Sequence, residues 1–439
     1  VSVADVVARA RTAARPLCTG TVTGAMGLTI SVEGVTAAVG DIVEIGGDPA
    51  ARTEPLRAEV VALHRDRLTC MPLGEVAGVH VGSRVRPTGA PLQVPVGEAL
   101  LGRVLDGLGR PVDGGPPLAG RARWVDLATQ TPHALTRTRV QDPLSFGVRA
   151  LDTLVPAGRG QRLGIFAGSG VGKSTLLAQI TRGTDADVRV IGLIGERGRE
   201  VREFLEENLG AEGMANTVVV VATSDEPPLV RLRAAFVATR IAEDFRDSGR
   251  DVLLLMDSIT RTAMAQREVG LSAGEPPATR GYPPSVFAMM PKLLEKAGTG
   301  TVGSITGLYT VLVEGDDHNE PIADTARSIL DGHVVLTRQM ATAGHFPAID
   351  VLESISRVAS AVTPPHRMAD AREARRLLGA LRDARELIEI GAYTAGSDPL
   401  VDRARVLEPQ LTGFLRQSVE DSTSPDEAWA QLHRIVSGT

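Results

Sequence analysis

The segment RLGIFAGSGVGKSTLLAQI (162–180) constrains the fold of this chain more than any other part of the sequence. An apolar run typical of a buried strand leads into a glycine-rich turn, and a segment of helical character follows. The turn fits the pattern Ala/Gly-x-x-x-x-Gly-Lys-Ser/Thr, with Ala167 in its first position. Such a turn lets consecutive backbone N–H groups point at phosphate oxygens, and the helix adds the positive end of its dipole. The segment therefore predicts a phosphate-binding loop rather than a turn that only connects a strand to a helix.

Each position of this loop has an expected task. Lys173 should reach the β- and γ-phosphates of a nucleotide, and the hydroxyl of Ser174 should bind Mg²⁺. The pattern by itself indicates only a nucleoside triphosphate. The residues expected to surround the phosphates are Gly168, Ser169, Gly170, Val171, Gly172, Lys173, Ser174 and Thr175.

A second magnesium ligand is predicted at the end of another apolar run. In DVLLLMDSITR (251–261), Asp257 follows five apolar residues. A carboxylate at the tip of a buried strand needs a partner, and hydrated Mg²⁺ is a suitable one. An aspartate that caps the following helix would have the same pattern, so the assignment depends on the phosphate loop.

The charged residues in LIGERGREV (193–201) indicate a catalytic carboxylate. The apolar run 188–194 ends there, and it follows the helix of the phosphate loop. In a doubly wound sheet, ligands bind at the C-terminal ends of the strands, so Glu196 should lie near the γ-phosphate. A carboxylate at that point can orient the attacking water and partly deprotonate it. The alternative is that Glu196 only caps the helix that follows.

The central part of the chain has the pattern of an α/β protein. Apolar, β-branched runs alternate with longer helical segments, which implies βαβ units and a mostly parallel sheet covered on both faces. Together with the phosphate loop, this pattern predicts an α/β nucleotide-binding core. The predicted strands are 162–167, 188–194, 217–222, 252–257, 304–313 and 333–337.

Different patterns precede and follow this core. Residues 1–95 contain short alternating runs broken by glycines, which predict a small β-barrel, with one amphipathic helix at 2–14. Residues 96–364 form the predicted nucleotide-binding domain, of which 96–140 is a connector. Residues 365–439 are predicted to be helical, since apolar residues there recur with helical spacing. The residues of that stripe are Leu377, Leu378, Leu381 and Ile388.

Composition limits the classes of protein to consider. At 439 residues the chain should form two or three domains, and no apolar run is long enough to span a bilayer. Two cysteines and no recognisable signal peptide favour a cytoplasmic location. The net charge of −6 argues weakly against non-specific nucleic-acid binding. The histidines do not form a zinc pattern.

Beyond these features, the chain resembles the catalytic-subunit family of rotary and secretion ATPases from about residue 20 to 415. Within that family it is similar to the ATPases of type III protein export. The sequences of the phosphate loop and of IAEDFRDSG (241–249) more closely resemble the flagellar branch. The stretches that carry the resemblance are VGEALLGRVLDGLGRPVDG, GIFAGSGVGKST, LIGERGREV, VLLLMDSITR, PPATRGYPPSVF, GSITGLYTVLVEGDD, SILDGHVVLTR, FPAIDVLESISR and IGAYTAGSDP.

The resemblance assigns further roles to matching positions. Glu196 matches the family's catalytic carboxylate, and Arg197 and Arg261 match basic residues near the phosphates. Phe346 matches an aromatic residue, commonly Tyr, that packs on the adenine ring. Arg357 matches an arginine supplied to the neighbouring subunit's site, where it would neutralise charge on the transferring phosphoryl group. Two positions depart from the family pattern, Thr262 in place of Tyr and Glu320 in place of Asp.

The resemblance implies a RecA-like P-loop NTPase core between an N-terminal β-barrel and a C-terminal helical domain. It further implies an enzyme that hydrolyses ATP with Mg²⁺, works as a ring and is a homohexamer. It also implies the partners: an inhibitory stator-like protein, a stalk protein, the membrane export gate and complexes of export chaperones with their substrates. The expected location is cytoplasmic, with peripheral contact at the inner-membrane export apparatus. Nucleic acid is not an expected partner.

Four other functions remain open. A virulence-type secretion ATPase and an ATP synthase subunit have the same kind of site, so only the resemblance argues against them. A subunit that holds nucleotide without hydrolysing it would lack the carboxylate that Glu196 provides. An RNA translocase needs stacking aromatic residues and a basic groove in its N-terminal domain. Residues 1–95 contain no aromatic residue, and their nine arginines are balanced by nine acidic residues.

Overall fold

The computed structural model describes residues 18–47, 54–313, 320–421 and 423–438. The helix predicted at 2–14 lies outside these residues. The N-terminal part is a closed six-stranded barrel with the strand order β1-β2-β5-β4-β3-β6. Its core consists of small aliphatic side chains that point inward from alternate strand positions. The barrel strands are Gly20–Met26 (β1), Thr29–Glu33 (β2), Asp41–Ile45 (β3), Leu56–Leu63 (β4), Arg67–Pro72 (β5) and Arg84–Pro91 (β6).

The segment predicted as a connector, 96–140, contains two strands that the sequence pattern did not reveal, and a third strand lies directly before it. Gln93–Val96 (β7) pairs with Arg123–Asp126 (β9) in a two-stranded sheet. Val104–Asp106 (β8) joins the edge of the main sheet by parallel pairing. Short 3₁₀ helices lie at Glu98–Leu100 and Ala134–Thr136. The segment is therefore partly built into the nucleotide-binding core.

The core begins with a short antiparallel pair, Pro143–Leu144 (β10) and Ala157–Gly158 (β11), on either side of helix Arg149–Leu154 (α1). The phosphate-loop strand and helix follow. From there to the end of the core, the elements are strands and helices, with one or two helices between most consecutive strands. They are Arg162–Ala167 (β12), Lys173–Gly183 (α2), Val188–Ile194 (β13), Gly198–Glu203 (α3), Gly210–Met214 (α4), Thr217–Ala222 (β14), Pro228–Asp247 (α5), Asp251–Asp257 (β15), Ile259–Ser272 (α6), Pro284–Leu294 (α7), Gly298–Thr299 (β16), Ser304–Leu312 (β17), Pro321–Ile329 (α8), Gly332–Leu336 (β18), Arg338–Thr342 (α9), Ile349–Ser356 (β19) and Ala359–Val362 (α10).

The main sheet has nine strands in the order β19-β18-β12-β17-β15-β13-β14-β8, with β16 paired to β17. All pairs are parallel except those of β19 and β16. Successive side chains of each strand enter different cores, as in β15, where Leu254 and Met256 lie on one face and Leu253 and Leu255 on the other. The sheet is therefore buried on both sides, which explains its continuous apolar runs.

The six predicted core strands are present within one residue of their expected bounds. β12, β13 and β14 have the predicted bounds, β15 begins one residue earlier, β17 ends one residue earlier, and β18 is shifted by one. The strand β19 was not predicted. Polar and charged residues (Asp350, Glu353, Ser354 and Ser356) interrupt its apolar residues, so its sequence lacks the long apolar run by which the other strands were recognised.

The C-terminal part consists of helices Pro365–Glu389 (α11), Pro399–Leu415 (α12) and Pro425–Ser437 (α13). Of the predicted stripe, Leu377 and Leu381 are buried, whereas Leu378 and Ile388 are partly exposed. Small residues complete the buried face of α11: Ala371, Ala374 and Ala384. These helices share one hydrophobic core with the phosphate-loop helix α2. The domain boundaries 1–95, 96–364 and 365–439 remain predictions. Among the described helices, none has the length and apolar character required to cross a bilayer.

Candidate active site

A cavity of about 750 Å³ opens at the C-terminal ends of the parallel strands β12, β13, β15 and β17. This is the edge at which parallel α/β sheets bind ligands, because loops and helix N-termini converge there. Most of the predicted site residues line this cavity: Gly168, Ser169, Gly170, Gly172, Lys173, Ser174, Thr175, Glu196, Arg197 and Arg261.

The phosphate loop has the backbone that its sequence predicts. Gly170 and Gly172 have φ angles of 77° and 86°, in the left-handed region that favours glycine. Helix α2 begins at Lys173, so its N–H groups and positive dipole end face the cavity. Val171 is 2% exposed and packs into the core below, which anchors the loop.

Lys173 connects the two predicted acidic residues. Its Nζ bonds Oδ1 of Asp257 and lies 3.5 Å from Oε1 of Glu196. Asp257 is 3% exposed, and the Glu196 side chain is 19% exposed. Two carboxylates and one ammonium group therefore meet beside the glycine-rich turn, where the charge of Lys173 offsets their mutual repulsion.

Asp257 does not cap the helix that follows it. The cap is Ser258, whose Oγ accepts a hydrogen bond from the backbone N–H of Arg261 at 3.2 Å. The hydroxyl of Thr310, on the neighbouring strand β17, donates to Oδ1 of Asp257 at 2.6 Å. Asp257 does not itself line the cavity, but its carboxylate is held directly behind two lining residues, Lys173 and Thr310.

Glu196 also lies outside the cap position of the next helix. Helix α3 starts at Gly198 with Arg197 as its cap residue. The chain leaves β13 through Gly195, which has a φ of 72° and lies against the stem of Arg261. Burial raises the pKa of Glu196, Lys173 lowers it, and the charges of Asp257 and Glu200 raise it. The carboxylate is therefore easier to protonate than that of an ordinary glutamate.

The two arginines of the cavity differ in their setting. Arg197 is largely exposed and pairs with Glu200, whose Oε1 lies 3.3 Å from its Nη1. Arg261 is partly buried, since its aliphatic part covers Gly195. Arg261 is therefore the more firmly positioned of the two.

Phe346 lies next to the phosphate loop although 173 positions separate it from Lys173 along the chain (346 − 173). A Cβ added at Gly172 would lie 3.2 Å from Cε1 of its ring. The side chain is 47% exposed, so part of the ring is free to contact a ligand. The antiparallel strand β19 explains this placement. It starts beside the C-terminal end of β18, where Ile349 pairs with Leu336, and this is the end of the parallel strands that carries the phosphate loop.

Arg357 directly follows the last residue of β19. That residue, Ser356, pairs with Gly332 at the N-terminal end of β18, so Arg357 lies at the end of the strands that is remote from the cavity. Seven residue steps separate the two ends of β19, a distance of roughly 20 Å. Arg357 is exposed, and its backbone N–H donates to the carbonyl of Asp331 at 3.0 Å. The structure therefore does not bring Arg357 into the cavity of its own chain.

The cavity also contains residues that were not predicted: Glu200, Ser224, Ser258, Thr310 and Arg338. A signal existed for Thr310, which is a polar residue near the end of an apolar strand next to the phosphate strand; it pairs with Ile165. Arg338 follows β18 in the same way. No comparable local pattern marks Ser224, whose backbone N–H donates to the carbonyl of Glu196 at 3.0 Å.

The donor set suits a magnesium ion that binds together with a nucleotide. Among the described residues, no three histidine, cysteine or acidic side chains are grouped as a metal site. Mg²⁺ in nucleotide sites needs only one or two protein oxygens, because phosphates and water complete its shell. The hydroxyl of Ser174 and the buried carboxylate of Asp257 meet that requirement.

Comparison with known proteins agrees with this architecture. Residues 22–89 match the model of the beta-barrel domain of the ATP synthase alpha/beta family, and residues 147–356 match its nucleotide-binding domain. Residues 363–434 match the model of the T3SS EscN ATPase C-terminal domain. The predicted fold class, a RecA-like core between a β-barrel and a helical part, is confirmed.

Individual relatives match over nearly their whole length. The flagellum-specific ATP synthase of Pseudomonas aeruginosa is 48% identical over 97% of this chain and 94% of its own. The type 3 secretion system ATPase of Xanthomonas euvesicatoria is 49% identical over 95% and 94%.

Solved structures of the assembled ATPase EscN from enteropathogenic E. coli, alone and with its central stalk EscO, match with TM-scores of 0.88 and 0.87. Both are 44% identical and cover 95% of this chain and 100% of EscN. The chain belongs to the family of flagellum-specific and type III secretion ATPases, within the ATP synthase alpha/beta family.

Proposed function

We propose that this chain hydrolyses ATP with Mg²⁺ as one subunit of a ring, and that the hydrolysis serves the export of flagellar proteins. The observation that carries the proposal is the meeting of Lys173, Glu196 and Asp257 beside the phosphate loop. A subunit that only holds nucleotide needs the lysine and the aspartate. It does not need a second carboxylate, the partly buried Glu196, at the end of the neighbouring strand.

Lys173 and the N–H groups of the loop would bind the phosphates. We assign Ser174 and Asp257 to Mg²⁺, which when bound would neutralise charge on the β- and γ-phosphates. Thr310 would hold the Asp257 carboxylate in the orientation that this requires. Arg261, whose stem is packed on Gly195, would extend its guanidinium group toward the phosphates.

Glu196 would act on the water molecule that attacks the γ-phosphate. Its carboxylate is close enough to Lys173 to share the phosphate end of the cavity, and its raised pKa suits a group that accepts a proton. Phe346 would pack on the adenine ring beside Gly172.

The distance of Arg357 from its own cavity supports a shared active site. An exposed arginine at the end of the strands remote from its own cavity can serve a site only in an adjacent subunit. Such an arginine accelerates phosphoryl transfer by roughly 10³–10⁵-fold in other enzymes. A single subunit would then have an incomplete site, and the ring would be the active form.

The relative EscN supports both the ring and a central partner, since it is known as an assembled ATPase and in complex with a stalk. We propose a homohexamer with a stalk protein for this chain. The further partners that we propose from the family are an inhibitory stator-like protein, chaperone–substrate complexes and the membrane export gate. At this gate the ring would contact the inner membrane from the cytoplasm.

The flagellar assignment rests on the phosphate-loop sequence GSGVGKS and on the segment IAEDFRDSG (241–249). Overall identity does not separate the branches, since flagellar and secretion relatives are equally similar. Complementation tests the assignment: expression in strains that lack either their flagellar or their virulence export ATPase should restore export only in the former. Restoration only in the latter would transfer the chain to the virulence branch.

The ring and its enzymatic activity are tested together by a dilution series. Turnover per subunit is measured with saturating ATP, with Mg²⁺ and with EDTA, while the oligomeric state is followed by light scattering. We expect Mg²⁺-dependent hydrolysis that rises with protein concentration as rings form. Equal turnover per subunit at all concentrations would refute the shared site.

A further inference from the structure

Gln417, two residues after helix α12, connects three separate parts of the molecule. It is 5% exposed. Its Nε2 donates to the carbonyls of Gly147 at 2.8 Å and Asp421 at 3.1 Å, and its Oε1 accepts from the backbone N–H of Arg149 at 2.9 Å. Every polar atom of this buried amide is therefore used, which holds the chain after α12 against the start of α1.

The same residue holds the segment that carries Phe346. The backbone N–H of Gln417 donates to the carbonyl of Phe346 at 3.0 Å. The ring of Phe346 lies against Gly172 of the phosphate loop. The position of the ring therefore depends on where Gln417 is held.

The residues after Gln417 are bonded to the phosphate-loop helix itself. Nε2 of Gln179 donates to the carbonyl of Ser418, and Nη2 of Arg182 donates to the carbonyl of Val419, both at 3.2 Å. Both donors belong to helix α2, which begins at Lys173. Segment 417–419 is thus attached to the phosphate loop through α2 and to Phe346 through Gln417.

We propose that Gln417 is a positioning residue for the nucleotide base: it sets the spacing between the ring of Phe346 and the phosphate loop. This inference rests on the proposed function, in which Phe346 packs on adenine. The amide does not have to touch the nucleotide. One nucleotide places its base on Phe346 and its phosphates in the loop, so it binds well only when the ring and the loop are the right distance apart. Gln417 would act by fixing that distance.

The first test compares Gln417→Leu with Gln410→Leu, which changes an exposed glutamine of helix α12. In Gln417→Leu, we expect KM for ATP to rise roughly 3- to 10-fold, which corresponds to the free energy of one lost aromatic contact. The relative decrease in kcat should be smaller than this increase in KM. Inhibition by inorganic tripolyphosphate, which has no base, should be unchanged. An equal loss of affinity for ATP and for tripolyphosphate would overturn the proposal.

The second test is a double-mutant cycle with Phe346→Ala. If Gln417 acts through Phe346, then Gln417→Leu should weaken ATP binding little further once the ring is absent. Additive losses would contradict the proposal, because they would place the effect of Gln417 elsewhere. Gln417→Glu gives a second version of the cycle in case the leucine variant does not fold: it keeps the volume and the acceptor for Arg149, and its carboxylate repels the carbonyl of Gly147.

Thermal unfolding of each variant separates loss of stability from loss of base recognition. The wild-type protein in the same assay separates this inference from the proposed function. Absence of ATP hydrolysis by the wild type would refute the function, whereas normal hydrolysis with an unchanged KM in both Gln417 variants would refute only the role of Gln417.

Discussion

Nζ of Lys173 lies 3.5 Å from Oε1 of Glu196, and the same ammonium group bonds Asp257. The proposed phosphate-binding lysine, the proposed catalytic carboxylate and the proposed magnesium ligand are therefore neighbours within the chain itself. A nucleotide that binds in the loop must draw Lys173 toward its phosphates, which changes the electrostatic surroundings of both carboxylates at once.

Substitution Lys173→Ala should abolish tight nucleotide binding. Loss of its charge-assisted contacts to phosphate is worth roughly 1.5–3 kcal/mol, about 10- to 150-fold in affinity. The two carboxylates would also lose the cation between them. Binding of a fluorescent ATP analogue measures the effect, with Lys292→Ala on helix α7 as the control. Equal affinities of the two variants would contradict the role of Lys173.

Substitution Thr310→Val should raise the Mg²⁺ concentration that is needed for half-maximal ATP hydrolysis. The hydroxyl that orients Asp257 would be lost while the shape of the side chain is kept. Residues that orient metal ligands typically contribute 10- to 100-fold to metal affinity, and we expect the lower part of that range. Thr310→Ser, which keeps the hydroxyl, should restore the wild-type value. A Mg²⁺ titration in which valine and serine behave alike would exclude this role.

Two inactive variants should restore activity when mixed. Arg357→Ala keeps a complete set of its own cavity residues, and Glu196→Gln keeps the arginine for its neighbour. In rings reassembled from equal amounts, roughly a quarter of the sites would combine Glu196 from one subunit with Arg357 from the next. Turnover of the mixture should therefore approach a quarter of the wild-type value. No activity above that of the separate variants would place Arg357 outside the shared site.

The acid limb of the pH–rate profile should respond to Glu200. Burial and the charge of Glu200 both raise the pKa of Glu196, so protonation inactivates this base at a higher pH than it would an ordinary glutamate. Removal of the charge in Glu200→Gln should lower that pKa and extend activity to lower pH. The measurement is kcat/KM as a function of pH for both proteins. Because ATP titrates identically in the two assays, a difference between the two profiles comes from the enzyme. A shift toward higher pH would reverse the predicted sign.

The fold could be predicted where its signals are local. The bounds of β12, β13 and β14 were predicted correctly because each is a mainly apolar run followed by glycine or polar residues. Strand β19 mixes polar and apolar residues and was missed, although its direction determines that Phe346 and Arg357 lie at opposite ends of the strands.

The site was predicted in the same uneven way. Lys173 follows from the phosphate-loop pattern, Asp257 from its place at the end of an apolar strand, and Glu196 from its position after the next strand. Gln417 had no such signal, because its partner Gly147 is 270 residues away in the chain. Contacts of this kind depend on how α12 packs against the core, and no local sequence pattern records them.

Glu196→Gln separates ATP hydrolysis from ATP binding. The amide keeps the size of the side chain but cannot accept the proton of the attacking water. We predict ATP binding within about 3-fold of the wild type and turnover reduced roughly 10²- to 10⁴-fold, the usual contribution of a general base. Glu203→Gln, on the exposed face of α3, should retain full turnover. The measurement is single-turnover hydrolysis of bound ATP, and normal hydrolysis by Glu196→Gln would show that Glu196 is not the catalytic carboxylate.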